Sequence, residues 1–260
     1  MSALLVARKD IQDAIRSRTL LIVTCLFTTF LSIYTYVTVA MITPSQPVGA
    51  TDLYLPVASV VAVVGTLLGY NSIVGERASG SVKFLLGQPH TRRDVVVGKF
   101  LGRAAVVMVT VLVAFAVVGP HYAVLAASPS VTAYAVLVGK MLVLGVVFVA
   151  VSVAFSAALR STTVATWGAV GIAVLFAFVW DSVILIIETS VFPPQSTPPN
   201  WFYLFRRLNP KYAFMDVGAA DIGETVPFYL DSWFGGVILV GWLLVSLGIA
   251  SLRFERGDIA

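Results

Sequence analysis

The sequence predicts an all-α integral membrane protein with six transmembrane helices, and three observations predict it. Of its 260 residues, 58% are hydrophobic and only 12% are charged, where a soluble domain carries about 25% charged residues. Six apolar runs are long enough to cross a bilayer, a crossing helix needing roughly 20 residues. The basic residues gather between alternate runs, as they do when a chain passes back and forth through a membrane.

Taken in order, residues 1–18 begin as an amphipathic helix over 3–17. Leu4, Ala7, Ile11, Ala14 and Ile15 fall at helical spacing, while Arg8, Lys9, Asp10, Gln12, Asp13 and Arg16 fill the other side. Such a pattern suits a helix lying in the interfacial plane. The first span is 19–41 and holds no charge. It exceeds the roughly 7–15-residue core of a signal peptide, so a retained span is expected. Cys25 within it is the chain's one cysteine, which excludes an internal disulfide and reads as a packing residue. A Pro/Gly loop at 43–51 leads to the second span, 53–73. There Gly65 and Gly69 stand four apart, a spacing that admits another helix closely, either within the chain or from a second copy.

A long stretch that no bilayer could hold follows, at 74–99. It carries Glu76, Arg77, Lys83, Arg92, Arg93, Asp94 and Lys99. Gly80 sits in a breaker, and an apolar turn with Phe84, Leu85 and Leu86 follows. Pro89 lies in a second breaker. Thr91 stands where a helix N-cap would, with Asp94 three residues on. The pattern predicts a short amphipathic helix held at the membrane surface between two long ones.

The third span, 100–118, is expected to end at Gly119-Pro120. A turn at 125–132, the fourth span at 134–159, a polar turn at 160–163 and the fifth span at 164–187 follow. The second long non-spanning segment is 188–232. Pro193, Pro194, Pro198 and Pro199 exclude regular helix from its first part, and the aromatic run 201–205 suits an interface. The sixth span is 233–252, with a charged tail. Thirteen of the seventeen Lys and Arg residues fall on the side of the two termini and of 74–99. The positive-inside rule therefore places both termini in the cytoplasm of a cell-membrane protein.

Polar groups inside spans are expensive and are functional candidates by default. Asp181 in the fifth span leads them. It faces a pathway, pairs with Lys140 of the fourth span, or lies near enough to the interface to be solvated; the sequence leaves these open. No His/Cys/Asp/Glu cluster has metal-ligand spacing, so no metal site is expected. No catalytic residue is assigned and no nucleic-acid partner is expected. Two rival readings use Asp181 as well. One is a membrane-embedded enzyme with Glu188 and His121, and the other a proton-driven transporter with Lys140. No internal repeat supports the second.

The segment 74–99 resembles the ABC-2 family of ABC-transporter permeases. The residues that carry the likeness are Glu76-Arg77, Gly80, Leu85-Leu86, Pro89, Arg92-Arg93 and Gly98-Lys99. The layout is similar as well, the amphipathic start looking like the family's elbow helix. Ser81 stands where threonine is frequent, and His90-Thr91 follows Pro89 where an aliphatic and a serine are usual. The resemblance implies a non-catalytic permease subunit, more often an exporter. It would work with a second copy or a sister permease, among membrane lipids, and with a separate cytoplasmic ATPase. The chain has no G-x-x-x-x-G-K-[ST] phosphate loop, so no cofactor is expected on it and ATP would sit on the partner. The segment would be the coupling helix, with Phe84, Leu85 and Leu86 as docking anchors. Glu76, Arg77, Arg92, Arg93 and Lys99 would set register, although the basic residues equally suit anionic lipid headgroups.

Overall fold

The computed structural model describes residues 2–42, 52–80, 91–126, 129–193, 197–215 and 227–256. All of the regular structure among them is helical. Six helices are long and apolar enough to cross a membrane: Thr19–Val39, Tyr54–Ala78, Arg92–Leu125, Val131–Ala158, Thr162–Val191 and Trp233–Phe254. The order of elements is α1 (Ser2–Arg16), α2 (Thr19–Tyr36), α3 (Tyr54–Gly69), α4 (Val74–Ala78), α5 (Arg92–Leu125) and α6 (Val131–Ala158). Then come α7 (Thr162–Val174), α8 (Trp180–Val191), α9 (Asn200–Arg207) and α10 (Ser232–Arg256).

Burial sorts the spans. The second buries 72% of its most apolar window, and the first, fifth and sixth only 17–22%. Span two is therefore the centre, wrapped by α5, α6 and α7, while α2, α8 and α10 present apolar faces outward. The glycine pair of span two works within the chain. A Cβ at Gly65 would lie 2.9 Å from Phe148 Cβ, and one at Gly69 would lie 2.8 Å from Ser152 Cβ. The bare backbone of α3 thus receives α6, and Ser152 Oγ fixes the contact by donating to the Thr66 carbonyl at 2.6 Å.

Several ends differ from the expectation. The third span starts at Arg92, eight residues early, because Thr91 builds the anticipated cap. Its Oγ1 accepts from Asp94 N at 3.2 Å, and Asp94 Oδ2 accepts from Thr91 N at 3.0 Å. The same helix runs through Pro120 to Leu125. Proline is expected to break a helix, but here Tyr134 Oη donates to the Phe115 carbonyl at 2.7 Å beside the break and Tyr122 stacks on Tyr134. The fifth span continues past Glu188 to Val191, with a wide π turn at Leu175–Val179 inside it. Cys25 is exposed on α2 and does not pack inside.

Candidate functional site: two ion-paired clusters at opposite ends of span two

Helix α1 is amphipathic, but its buried stripe is not purely apolar. Val6, Ala7, Asp10 and Ala14 are all buried, Asp10 completely. Asp10 therefore leaves the polar side on which its spacing placed it. The reason lies on α5. Gly98 and Gly102 are bare toward α1, a Cβ at the first meeting Val6 Cβ at 2.6 Å and one at the second meeting Asp10 Cβ at 2.8 Å. The residue after each glycine is a cation. Lys99 Nζ lies 2.8 Å from Asp10 Oδ1, and Arg103 Nε lies 2.8 Å from Asp10 Oδ2. Lys99 Nζ also lies 2.5 Å from Glu76 Oε1 on α4. Two cations and two anions thus balance in a site where Lys99 is 4% exposed. An unpaired charge could not persist there. The twice-repeated glycine-cation pair on α5 is the sequence signal that could have found Asp10.

The polar segment begins and ends on this network. Glu76 leads into it and Lys99 closes it, so their ion pair staples its base. Helix α4 restarts after a turn, and Ser156 Oγ of α6 accepts from Ile73 N and Val74 N at 3.1 Å each, capping the restart. Arg77 Nη1 donates to the Ala157 and Leu159 carbonyls at 3.0 and 2.9 Å, where α6 ends. Its guanidinium stands 5.0 Å from the Phe254 ring centre. Arg92 Nη1 donates to the Phe254 carbonyl at 3.1 Å. Glu76, Arg77, Arg92 and Lys99 are therefore brought together. Arg93 stays exposed. Gly80 has φ +72°, which favours glycine, and no atom of the described residues lies within 4 Å of where a Cβ would stand. Phe84, Leu85, Leu86 and Pro89 lie outside the described residues. Gly98 and Lys99 sit inside a helix as a close approach and an ion pair.

The second cluster sits at the other end of span two. Asp181 does not pair with Lys140. Its carboxylate takes Lys211 Nζ at 2.6 and 2.7 Å and the Tyr212 hydroxyl at 2.8 Å. Lys211 comes from the segment between spans five and six and is fully buried, whereas the Asp181 side chain is 40% exposed. Ser59 Oγ and the Ala177 carbonyl complete the ammonium's shell at 3.0 and 3.1 Å. Asn209 Nδ2 donates to the Phe176 carbonyl at 2.8 Å. Both carbonyls belong to the π turn Leu175–Val179, whose wider winding leaves backbone oxygens for side chains to reach. Burial pushes the Lys211 ammonium below the ordinary lysine range, and Asp181 pulls it partly back. Burial, then Asp181, pushes the Tyr212 phenol up. Lys140 lies one layer away. Its Nζ donates to the Phe214 carbonyl at 3.4 Å and stands 5.7 Å from the Tyr54 ring centre, while Tyr54 Oη donates to the Lys211 carbonyl at 2.8 Å.

The residues of the enzyme reading are engaged separately. His121 Nδ1 bonds the Val117 carbonyl at 3.0 Å, and Glu188 is exposed. Among the described residues no group of three or more His, Cys, Asp or Glu is placed to hold a metal ion. Arg207 is another buried cation that sequence reading passed over. It donates to the Met215 and Asp231 carbonyls at 2.9 and 3.0 Å and so ties the segment between spans five and six to the start of α10.

Residues 4–259 match the sequence family described as "ABC-2 family transporter protein". The chain is similar to a Pseudomonas aeruginosa protein named "Probable ABC transporter permease protein NosY", 29% identical with 98% of each chain covered. It is also similar to a protein of the same name from Stutzerimonas stutzeri, 26% identical over 96% of this chain and 97% of the relative.

Proposed function

The chain belongs to the ABC-2 family of transporter proteins, and from that premise we propose that it is the membrane-spanning subunit of an ATP-driven transporter. In this reading it is a non-catalytic exporter subunit that pairs with a second permease chain. A separate cytoplasmic ATPase docks on 74–99, both termini are cytoplasmic, and the protein lies in the cell membrane. Residues 1–18 act as the elbow helix and 188–232 as the external segment. The names of the relatives, both ABC transporter permeases, support the transport assignment. The clustering of thirteen of seventeen basic residues on one side supports the orientation. The outward apolar faces of spans one, five and six, each 17–22% buried, leave room for lipid and a partner permease.

One observation carries the coupling role: Glu76 and Lys99, which bracket the polar segment in sequence, are joined by an ion pair, with Asp10 and Arg103 bound into the same network. A push on that segment therefore reaches spans two and three and α1 together, because a buried, charge-balanced network resists breaking at any one pair. Asp181 and Lys140 would then belong to the outer support of the pathway. The test is affinity purification from native membranes in mild detergent, wild type beside a Leu85→Asp/Leu86→Asp variant. A soluble ATPase of about one domain's size should accompany wild type and be lost from a variant that still folds. Wild type purified without any ATPase in several detergents would overturn the coupling reading.

A further inference from the structure

At the end of the bundle that carries the termini, a cavity of about 560 Å³ opens between α4, α6 and α10. Its lining has two parts. Arg77, Arg160 and Arg253 supply three guanidinium groups from three different stretches of chain. Ala157, Ala158, Ile249 and Leu252 supply an apolar wall. On α10, Ile249, Leu252 and Arg253 share one face at i, i+3 and i+4, so the cation stands immediately beyond an apolar stripe toward the helix end. Ile249 and Leu252 are 45% and 51% exposed, and Arg160 and Arg253 are exposed as well. Arg77 is held in place by its bonds to the Ala157 and Leu159 carbonyls and by the Phe254 ring. Arg160 and Arg92 both stand near it as like charges.

Cations gathered at the end of an apolar groove, repelling one another, fit one kind of ligand. It has a phosphate for the arginines and hydrocarbon for the stripe below. We propose that this cavity binds the headgroup of an anionic phospholipid from the leaflet on that side, its acyl chains lying against Ile249 and Leu252. Guanidinium groups suit phosphate because their forked donors match its oxygens. Basic pockets between spanning helices at this depth are where such headgroups lodge. The site joins the ends of spans two, four and six, so an occupied cavity would brace α4, from which the polar segment leaves.

The test is native mass spectrometry of the full chain in mild detergent, with phosphatidylglycerol, phosphatidylcholine or inorganic phosphate added. Wild type should hold phosphatidylglycerol at least tenfold more tightly than phosphatidylcholine. An Arg160→Gln/Arg253→Gln variant changes exposed side chains and should keep its fold, yet lose roughly fivefold in affinity per arginine removed. A Lys9→Gln/Arg16→Gln variant, with the same loss of charge on the exposed side of α1, should keep the preference. Equal binding of the two lipids by wild type would overturn the proposal whatever the variants do. So would an equal loss in the Lys9/Arg16 variant, or displacement of phosphatidylglycerol by millimolar inorganic phosphate, which would make this a free-phosphate site.

Discussion

The two ion clusters of this protein solve the same electrostatic problem in opposite ways. At the termini end, Asp10, Glu76, Lys99 and Arg103 are all mostly buried and balance two against two. At the opposite end a fully buried Lys211 meets an Asp181 whose side chain is 40% exposed, with Ser59 Oγ and the Ala177 carbonyl of the π turn completing the ammonium's shell. The first cluster is held by symmetry of charge and the second by a ready-made polar shell. A closed network should transmit force and fail as a unit. A half-open one should tolerate loss of its buried member, which leaves an exposed charge, and not loss of its exposed member, which leaves a buried one.

The largest effect tests the closed network. Asp10→Ala strands Arg103 and leaves Lys99 only Glu76, so thermal unfolding in detergent should show a loss of about 3–5 kcal/mol. Asp13→Ala, at an exposed position on the same helix, should change stability by no more than about 0.5 kcal/mol. Similar losses for the two would show that the network is not what holds α1 in place.

The second cluster should break asymmetrically. Asp181→Asn leaves a dry ammonium uncompensated and should cost about 3 kcal/mol. Lys211→Met leaves a carboxylate that is already partly exposed, and should cost about 1 kcal/mol. The reverse order would mean that Asp181 is the dry partner. Because burial holds the Lys211 ammonium below its ordinary range, the unfolded chain binds more protons there between the two pKa values. Stability should therefore rise as pH climbs toward about 10.4, the ordinary lysine value. Comparing unfolding of wild type and Lys211→Met across alkaline pH should show that rise only in wild type.

A further pair of substitutions sharpens the contrast through packing. Gly98→Ala puts a Cβ 2.6 Å from the Ala3 carbonyl and Val6 and should cost about 1–3 kcal/mol as α1 is pushed off α5. Gly241→Ala, with nothing within 4 Å, should be neutral or stabilising by up to about 1 kcal/mol. An equally neutral Gly98→Ala would mean that α1 approaches α5 less closely than the glycines allow.

What the sequence determined by itself follows from local rules. Span number, the Thr91–Asp94 cap and the small-residue spacing of Gly65 and Gly69 depend on hydropathy, near-neighbour hydrogen bonds and side-chain size. All three are legible along a single chain. The family likeness was carried by a local pattern too, at 74–99. Tertiary structure alone decided which charges meet. Asp10 sits on a face that alternates with lysine and arginine, so spacing assigned it to water. It is buried because two glycines eighty-eight and ninety-two residues later let α5 come close and bring their following cations. Lys211 lies in a segment that reads as an outer loop, yet it folds back to Asp181 where a π turn exposes carbonyls, and so Lys140 was the wrong partner. Ion pairs between residues 30 or 89 apart in sequence are set by how helices cross. Crossing depends on packing along the entire helix, which no local window contains.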